Sequence, residues 1–381
     1  MKPKNQRNRC VAIDASALQH DGLPQGGIRR ATTEMIQSLV RVALPFELVL
    51  FSQRLRGDAL SNLGLPYRNA HLRLPRNRLA GWLTSRLPIV EWLCQCDLFH
   101  SPVHYFPIVG RCKIVATVHD VMFFAYPEEH LAHAIERERV PQFVRKCSAL
   151  ITPSEASKVD AVQFLRFPED RITVIPWGVR ADVFYPASDR QEAIARVERE
   201  FGIGRPYFLS VSCDVGRKNS PLLVQQYAVL AKQGCEHDLV MVWRTPPESV
   251  QQNAGSAACR GRVHFVSSVS DAALRALYQG ATAMIFPSVY EGFGLPVAEA
   301  LACGTPVVTT RCSSLPEVGG DAAVYVEPND GPSLLAALEG FEGKRYDIPE
   351  LRRRAVRQAA KFSWPAYVDR LIGVYRECLG E

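Results

Sequence analysis

Short apolar runs alternate with segments of helical spacing along this chain, and after a polar break the whole alternation starts again. No other feature restricts the fold as much. Parallel strands need a long crossover, usually a helix, so repeated strand–helix units predict doubly wound α/β domains. In the first half, strands are expected at Val11–Asp14, Phe46–Phe51, Lys113–Val118, Ala149–Thr152 and Arg171–Ile175. Ile28–Val42 carries Ile28, Met35, Ile36, Leu39 and Val40 at helical intervals. Thr152-Pro-Ser-Glu155 has capping-box spacing ahead of a helix reaching about Phe167. The mixed-charge stretch Ala187–Glu200 reads as a linker. Beyond it, strands are expected at Tyr207–Ser212, Leu239–Trp243, Val263–Val266, Ala283–Phe286, Val307–Thr309 and Ala323–Val326. Helices are expected near Pro221–Lys232, Asp271–Gln279, Val297–Ala302 and Pro332–Glu339, and from Phe362-Ser-Trp-Pro365 to Leu379. The predicted architecture is α/β, with two doubly wound parallel-sheet (Rossmann-like) domains facing a central cleft. Ligands in such sheets bind beyond the carboxyl ends of the strands.

Composition agrees with that class. The chain has 381 residues, 47% of them hydrophobic and 22% charged, which suits about two globular domains and excludes general disorder and fibrous classes. No apolar run approaches the ~18 residues of a membrane-spanning helix. MKPKNQRNRC at the N-terminus has no signal-like apolar stretch behind it. The expectation is a protein made and kept in the cytoplasm. Its net charge of +6 is uneven: residues 1–190 hold 25 Lys/Arg against 18 Asp/Glu, with the excess densest from Arg54 to Lys113. Such a surface attracts nucleic acid, anionic lipid or a phosphorylated substrate, and charge alone does not choose. Eleven scattered cysteines show no C-x-x-C and no zinc spacing, so they read as reduced, buried thiols.

The most informative stretch is Pro287-Ser-Val-Tyr-Glu-Gly-Phe-Gly-Leu-Pro-Val-Ala-Glu-Ala-Leu-Ala-Cys-Gly-Thr-Pro306. It follows a strand end, holds two glycines in its loop and then enters a helix. Glycines and helix-start amides let a ligand approach the backbone closely. Glu291 stands in the loop and Glu299 about one turn into the helix, so the two acids either reach different parts of one elongated ligand or simply cap the helix. The block Glu-Gly-Phe-Gly-Leu-Pro-Val-Ala-Glu resembles the E-x7-E signature of glycosyltransferase family 4, retaining nucleotide-sugar enzymes of GT-B architecture. Further matches follow the family's order. They are Gly26-Gly27-Ile28, Val118-His-Asp120, Gly178-Val179, Gly216-Arg-Lys-Asn219, Ser270–Tyr278, Ser314-Leu-Pro-Glu-Val318 and Phe362-Ser-Trp364.

The resemblance implies an acceptor-side domain at 1–190, a donor domain at 201–362, and a C-terminal helix 363–381 crossing back to the first. It assigns Arg217 and Lys218 to the donor diphosphate, where fixed cations stabilise the departing charge. Glu291 would hydrogen-bond sugar hydroxyls, Gly292, Phe293, Gly294 and Leu295 would present backbone amides, and Glu299 would grip the ribose. His119 would contact the transferred sugar, and Gly27 would bring the first loop to the diphosphate. Glu317 matches a family position without a firm role, helix capping being the alternative. The catalytic set is thus Glu291, His119, Arg217 and Lys218.

No Asp-x-Asp pair occurs, so no metal is expected, and no P-loop is present. The cofactor expectation is none, with a nucleotide-sugar donor. Gly-Gly-Ile-Arg-x-Ala at 26–31 and His-Asp-x6-Pro-Glu at 119–128 resemble bacterial surface-polysaccharide mannosyltransferases, which points to GDP-mannose, with UDP-sugars as runner-up. Trp243 either stacks on the base or narrows its pocket, and Arg29 either reaches an acceptor phosphate or points to solvent. The basic, Trp-containing stretch 75–93 (Arg76, Arg78, Trp82, Arg86, Trp92) is either a peripheral contact with anionic membrane or an amphipathic helix packed on the first sheet. Expected partners are a nucleotide-sugar and a saccharide or lipid-linked acceptor, with no nucleic acid, at the inner face of the cytoplasmic membrane. Competing readings are a GT-B nucleotide-sugar epimerase and an inactive polysaccharide-assembly subunit.

Overall fold

The computed structural model describes residues 9–18, 27–53, 67–73, 86–103, 110–126, 132–211, 216–256, 259 and 262–381. The chain divides into two compact units, Met1–Gly178 with Trp364–Glu381, and Val179–Ser363.

The sheet of the first unit is built from β1 (Cys10–Asp14), β2 (Glu47–Gln53), β3 (Arg68–Leu72), β4 (Leu98–Ser101), β5 (Lys113–Thr117), β6 (Ala149–Thr152) and β7 (Ile172–Val174). They pair in parallel in the order β3-β2-β1-β4-β5-β6-β7. The second unit holds β8 (Tyr207–Val211), β9 (Asp238–Val242), β10 (Val263–Val266), β11 (Ala283–Phe286), β12 (Val307–Thr310) and β13 (Ala323–Val326). These are also parallel, in the order β10-β9-β8-β11-β12-β13. Every residue of β1, β4, β8, β11 and β12 is buried, as expected of strands covered on both faces by crossover helices. In each sheet the order reverses at one place, between β1 and β4 and between β8 and β11. Loops leaving those strands diverge there, and the gap between them is where such sheets take ligands.

The C-terminal helix Trp364–Leu379 completes the first unit. Tyr375, fully buried, packs edge-on against Phe46 and His100 at 5.7 and 5.6 Å, and Tyr367 lies 3.7 Å from Met35 Sδ.

Three expectations need correction. The stretch 187–200 is no linker: Arg190–Phe201 is a helix, with Asp189 accepting from Gln191 N at its start and Gly202 left-handed at its end. Ala193 and Val197 are its buried face, and it packs on the helix Asp271–Gly280 within the second unit. The division between units accordingly falls after Gly178. Trp243 is 9% exposed and belongs to the second unit's apolar core with Val250 and Met241, so it does not offer a face for stacking on a base. Strands β3 and β4 and the helices Ala132–Val144, Glu248–Ala254 and Ile348–Ala359 were not anticipated. Of the stretch 75–93, residues 75–85 lie outside the described set, including Arg76, Arg78 and Trp82. Its remainder forms the short helix Ile89–Cys94, which buries Val90 and Cys94 and leaves Trp92 66% exposed. Among the described residues no helix is long and apolar enough to cross a membrane.

Candidate active site

The second unit's switch point brings two loops together. One leaves β8 and carries Gly216, Arg217, Lys218 and Asn219, the last left-handed at φ 56° and capping the helix Ser220–Lys232. The other leaves β11 and runs through Ser288, Tyr290 and Glu291 to the helix Leu295–Ala302. They are joined by backbone: Val289 N donates to Arg217 O at 2.8 Å, and Ser288 Oγ stands 3.2 Å from the same oxygen.

Across this seam the side chains converge. Arg217 Nη1 donates to Glu291 Oε1 at 2.5 Å and to Tyr290 O at 2.8 Å. Lys218 Nζ stands 3.9 Å from the same carboxylate oxygen and 5.3 Å from the centroid of Phe286. Ser288 Oγ is the second hydrogen-bond donor to Glu291 Oε1, at 3.0 Å. Glu291 is 9% exposed, so its charge is desolvated and needs these partners. Its carbonyl in turn accepts from Ser313 Oγ and Ser314 Oγ at 2.6 and 2.8 Å, which ties the loop to the segment after β12. Thr310 Oγ1 donates to Ser288 O.

The helix after the loop begins at Gly294, whose φ of +94° lies in the left-handed region. A Cβ there would stand 3.0 Å from Leu315 Cδ2, so both backbone and space call for glycine. Pro296 fits the first turn, where no N–H is needed for the helix. Phe293, 2% exposed, meets Phe362 edge-on at 5.5 Å and anchors the loop from below. One turn along, Glu299 is 4% exposed, and Tyr278 Oη donates to its Oε2 at 3.2 Å. The positive end of the helix, two cations and two oriented carboxylates thus surround one edge of the sheet. Such an arrangement can hold a polyhydroxylated diphosphate ester: cations and amides for the phosphates, carboxylates for the hydroxyls.

Sequence expectations brought together here are Arg217, Lys218, Glu291, Gly292, Phe293, Gly294, Leu295 and Glu299. Ser288, Tyr278 and Ser314 lie inside the matched stretches but were given no role, and Ser313, one residue ahead of the Ser314–Val318 match, was not singled out. Glu317 is exposed in the first turn of the short helix Leu315–Gly319.

Two expected site residues lie in the first unit. His119 follows β5 and is 3% exposed. Its Nε2 donates to Pro102 O at 2.8 Å, its ring meets Trp177 edge-on at 5.2 Å, and its carbonyl accepts from Ser157 Oγ at 2.9 Å. Gly27 begins the helix Gly27–Leu39 and is exposed; a Cβ added there meets nothing within 4 Å. Sequence reading missed His100, whose ring nitrogens face Tyr375 Oη at 2.6 Å and Thr117 Oγ1 at 2.9 Å. Burial, and secondarily the charge of His119, lowers its pKa to about 3, so it is neutral.

Both units of the chain match known proteins. The family model for Glycosyltransferase Family 4 matches residues 25–183, and that for Glycosyl transferases group 1 matches 205–341. The O-antigen chain mannosyltransferase B of Escherichia coli is 28% identical over 296 residues, which cover 73% of this chain and 74% of that one. The serotype-specific mannosyltransferase WbdA of the same species is 27% identical over 261 residues, 66% of this chain; the match spans about a third (32%) of its length. Among solved structures, Anabaena HepE in complex with UDP and glucose superposes with a TM-score of 0.73 at 15% identity, covering 97% of this chain and 99% of that one. One family model lies on each of the two parallel-sheet units, and the chain belongs to glycosyltransferase family 4, a glycosyltransferase of GT-B fold.

Proposed function

We propose that the protein transfers mannose from GDP-mannose, with retention of configuration and without a metal, to a saccharide or lipid-linked acceptor of bacterial surface polysaccharide. The observation that carries the reading is the meeting of Arg217, Lys218 and Glu291 beside the Gly294 helix start. Mannose is favoured by the names of the Escherichia coli relatives, an O-antigen chain mannosyltransferase and a serotype-specific mannosyltransferase.

In this reading Arg217 and Lys218 hold the donor diphosphate together with the amides of Gly292, Phe293, Gly294 and Leu295. As the glycosidic bond breaks, negative charge grows on the β-phosphate, and preorganised cations there lower the barrier. Their charge does the work that a metal performs elsewhere. Glu291 orients sugar hydroxyls. Its Oε1 already accepts from Arg217 and Ser288, which suits a binding carboxylate better than a nucleophile. The departing phosphate oxygen takes the acceptor's proton, and attack comes from the leaving-group face. Glu299, steadied by Tyr278, takes the ribose hydroxyls. At His119 a sugar hydroxyl would meet Nδ1, because Nε2 is engaged by Pro102. Gly27 lets the first loop approach the phosphates.

Isothermal titration with GDP, UDP and ADP tests the donor: tight binding of GDP alone is expected, and preference for UDP moves the reading to a UDP-sugar. Product analysis by NMR, with chelator present, tests the rest. An inverted anomeric centre, or activity abolished by the chelator, would overturn the mechanism.

A further inference from the structure

The second unit carries a cavity of about 520 Å³ at the opposite edge of its sheet from the candidate active site. Its floor follows the amino ends of β11 and β12. There Arg190 Nη2 donates to Gly280 O at 2.8 Å and Ala281 O at 3.3 Å. Arg352 donates to Gly304 O at 3.0 Å and to the same Ala281 O at 2.9 Å. Two guanidinium groups are therefore gathered around one carbonyl. Among the described residues neither forms an ion pair, and Arg190 Nε is buried without a hydrogen-bond partner. Burial and the charge of Arg190 lower the pKa of Arg352 to about 10, which leaves Arg352 cationic at neutral pH.

Arg353 and Arg357 stand at the rim, at 2.9 and 3.4 Å from Glu350, and Arg354 shares the same carboxylate. One acid thus serves three of these cations, and the floor pair keeps its charge. Pro186, Ala187, Cys303 and Val356 give the walls an apolar part, Val356 being 39% exposed at the mouth, and Gln279 is their one uncharged polar side chain, its Nε2 donating to Tyr185 O at 2.7 Å. Partly buried cations without a counter-ion call for an anion. Apolar walls of this size call for a hydrocarbon body, as in ordinary ligand cavities.

We propose that this cavity binds a phosphate monoester carried on an apolar chain, with the phosphate on Arg190 and Arg352 and the chain against Pro186, Cys303 and Val356. The site is separate from the donor site, and it stands or falls independently of the GDP-mannose reading. Titration of the whole protein with inorganic phosphate, butyl phosphate and octyl phosphate tests it. Affinity should rise about fourfold per methylene added until the chain fills the cavity. Inorganic phosphate should bind too weakly to measure. Val356→Glu places a negative charge at the mouth on an exposed helix position, and Arg357→Glu does so at the rim. Each should weaken octyl phosphate by about tenfold or more while the melting temperature and GDP titration stay as in the wild type. Inorganic phosphate binding as tightly as octyl phosphate would overturn the proposal. So would octyl phosphate binding that survives both substitutions, or no binding at all.

Discussion

Glu291 shows why single residues at this site serve both fold and chemistry. Removing its carboxylate altogether would leave Arg217 largely buried beside a vacated partner, at a cost of about 3–5 kcal/mol. Glu291→Gln is therefore a cleaner probe than Glu291→Ala, because it keeps shape and an acceptor oxygen for Arg217. We expect Glu291→Gln to lower kcat/KM by about 100-fold, with stability within about 1–2 kcal/mol of wild type. Steady-state kinetics beside urea unfolding checks this, and unchanged kcat/KM would remove Glu291 from the site. The E-x7-E spacing made Glu291 and Glu299 legible because both lie within one loop–helix unit. The pairing of these acids with their donors was less legible: Ser288 is local to Glu291, but Arg217 meets it through strand order and Tyr278 meets Glu299 through helix packing, which no local spacing encodes.

Elements were read most accurately where they are buried on both faces. The expected strands of the second sheet agree with β8–β13 to within a residue at each end, since a short, uninterrupted apolar run bounded by turns suits little besides a buried strand. β3, Arg-Asn-Ala-His-Leu, stands at a sheet edge with three of its five residues polar, so it lacks that signal. β4 hides its character behind His100 and Ser101, both fully buried. The helix Arg190–Phe201 escaped because charges crowd its exposed face while Ala193 and Val197 alone mark the buried one. Within the Leu295–Ala302 unit, the decisive residue is Gly294. Gly294→Ala forces a side chain into φ +94° and against Leu315. We expect a loss of about 1–3 kcal/mol and weaker nucleotide binding, because the helix start must shift. Denaturant unfolding and titration calorimetry measure both; a loss below about 0.5 kcal/mol would mean the loop absorbs the change.

At the scale of the molecule, the two-domain α/β design was legible from the repeated alternation, but its division was not. Helix 190–201 looks polar enough to be a connector, yet it is integral to the second unit. The first unit is finished by a helix from the far end of the chain, whose Tyr375 rests on His100. That contact carries a pH dependence. A histidine held at a pKa of about 3 binds no proton in the fold, while the unfolded chain takes one up below about 6.5. Protons therefore favour the unfolded state between those values, and stability falls as pH drops through the window. His100→Asn should remove this slope. Between pH 7 and pH 5 the wild type should lose about 2 kcal/mol more than the variant in urea titrations, and equal losses would show that His100 does not titrate this way.

The same helix has a consequence during synthesis. The ribosome makes all of the second unit before it releases Trp364–Leu379, the segment that caps Met35, Phe46 and His100. The unit begun first is thus the one closed last. Until that moment the nascent chain carries a complete group 1 module beside an unfinished partner whose apolar face is open, and this is the interval in which chaperones would have most to hold.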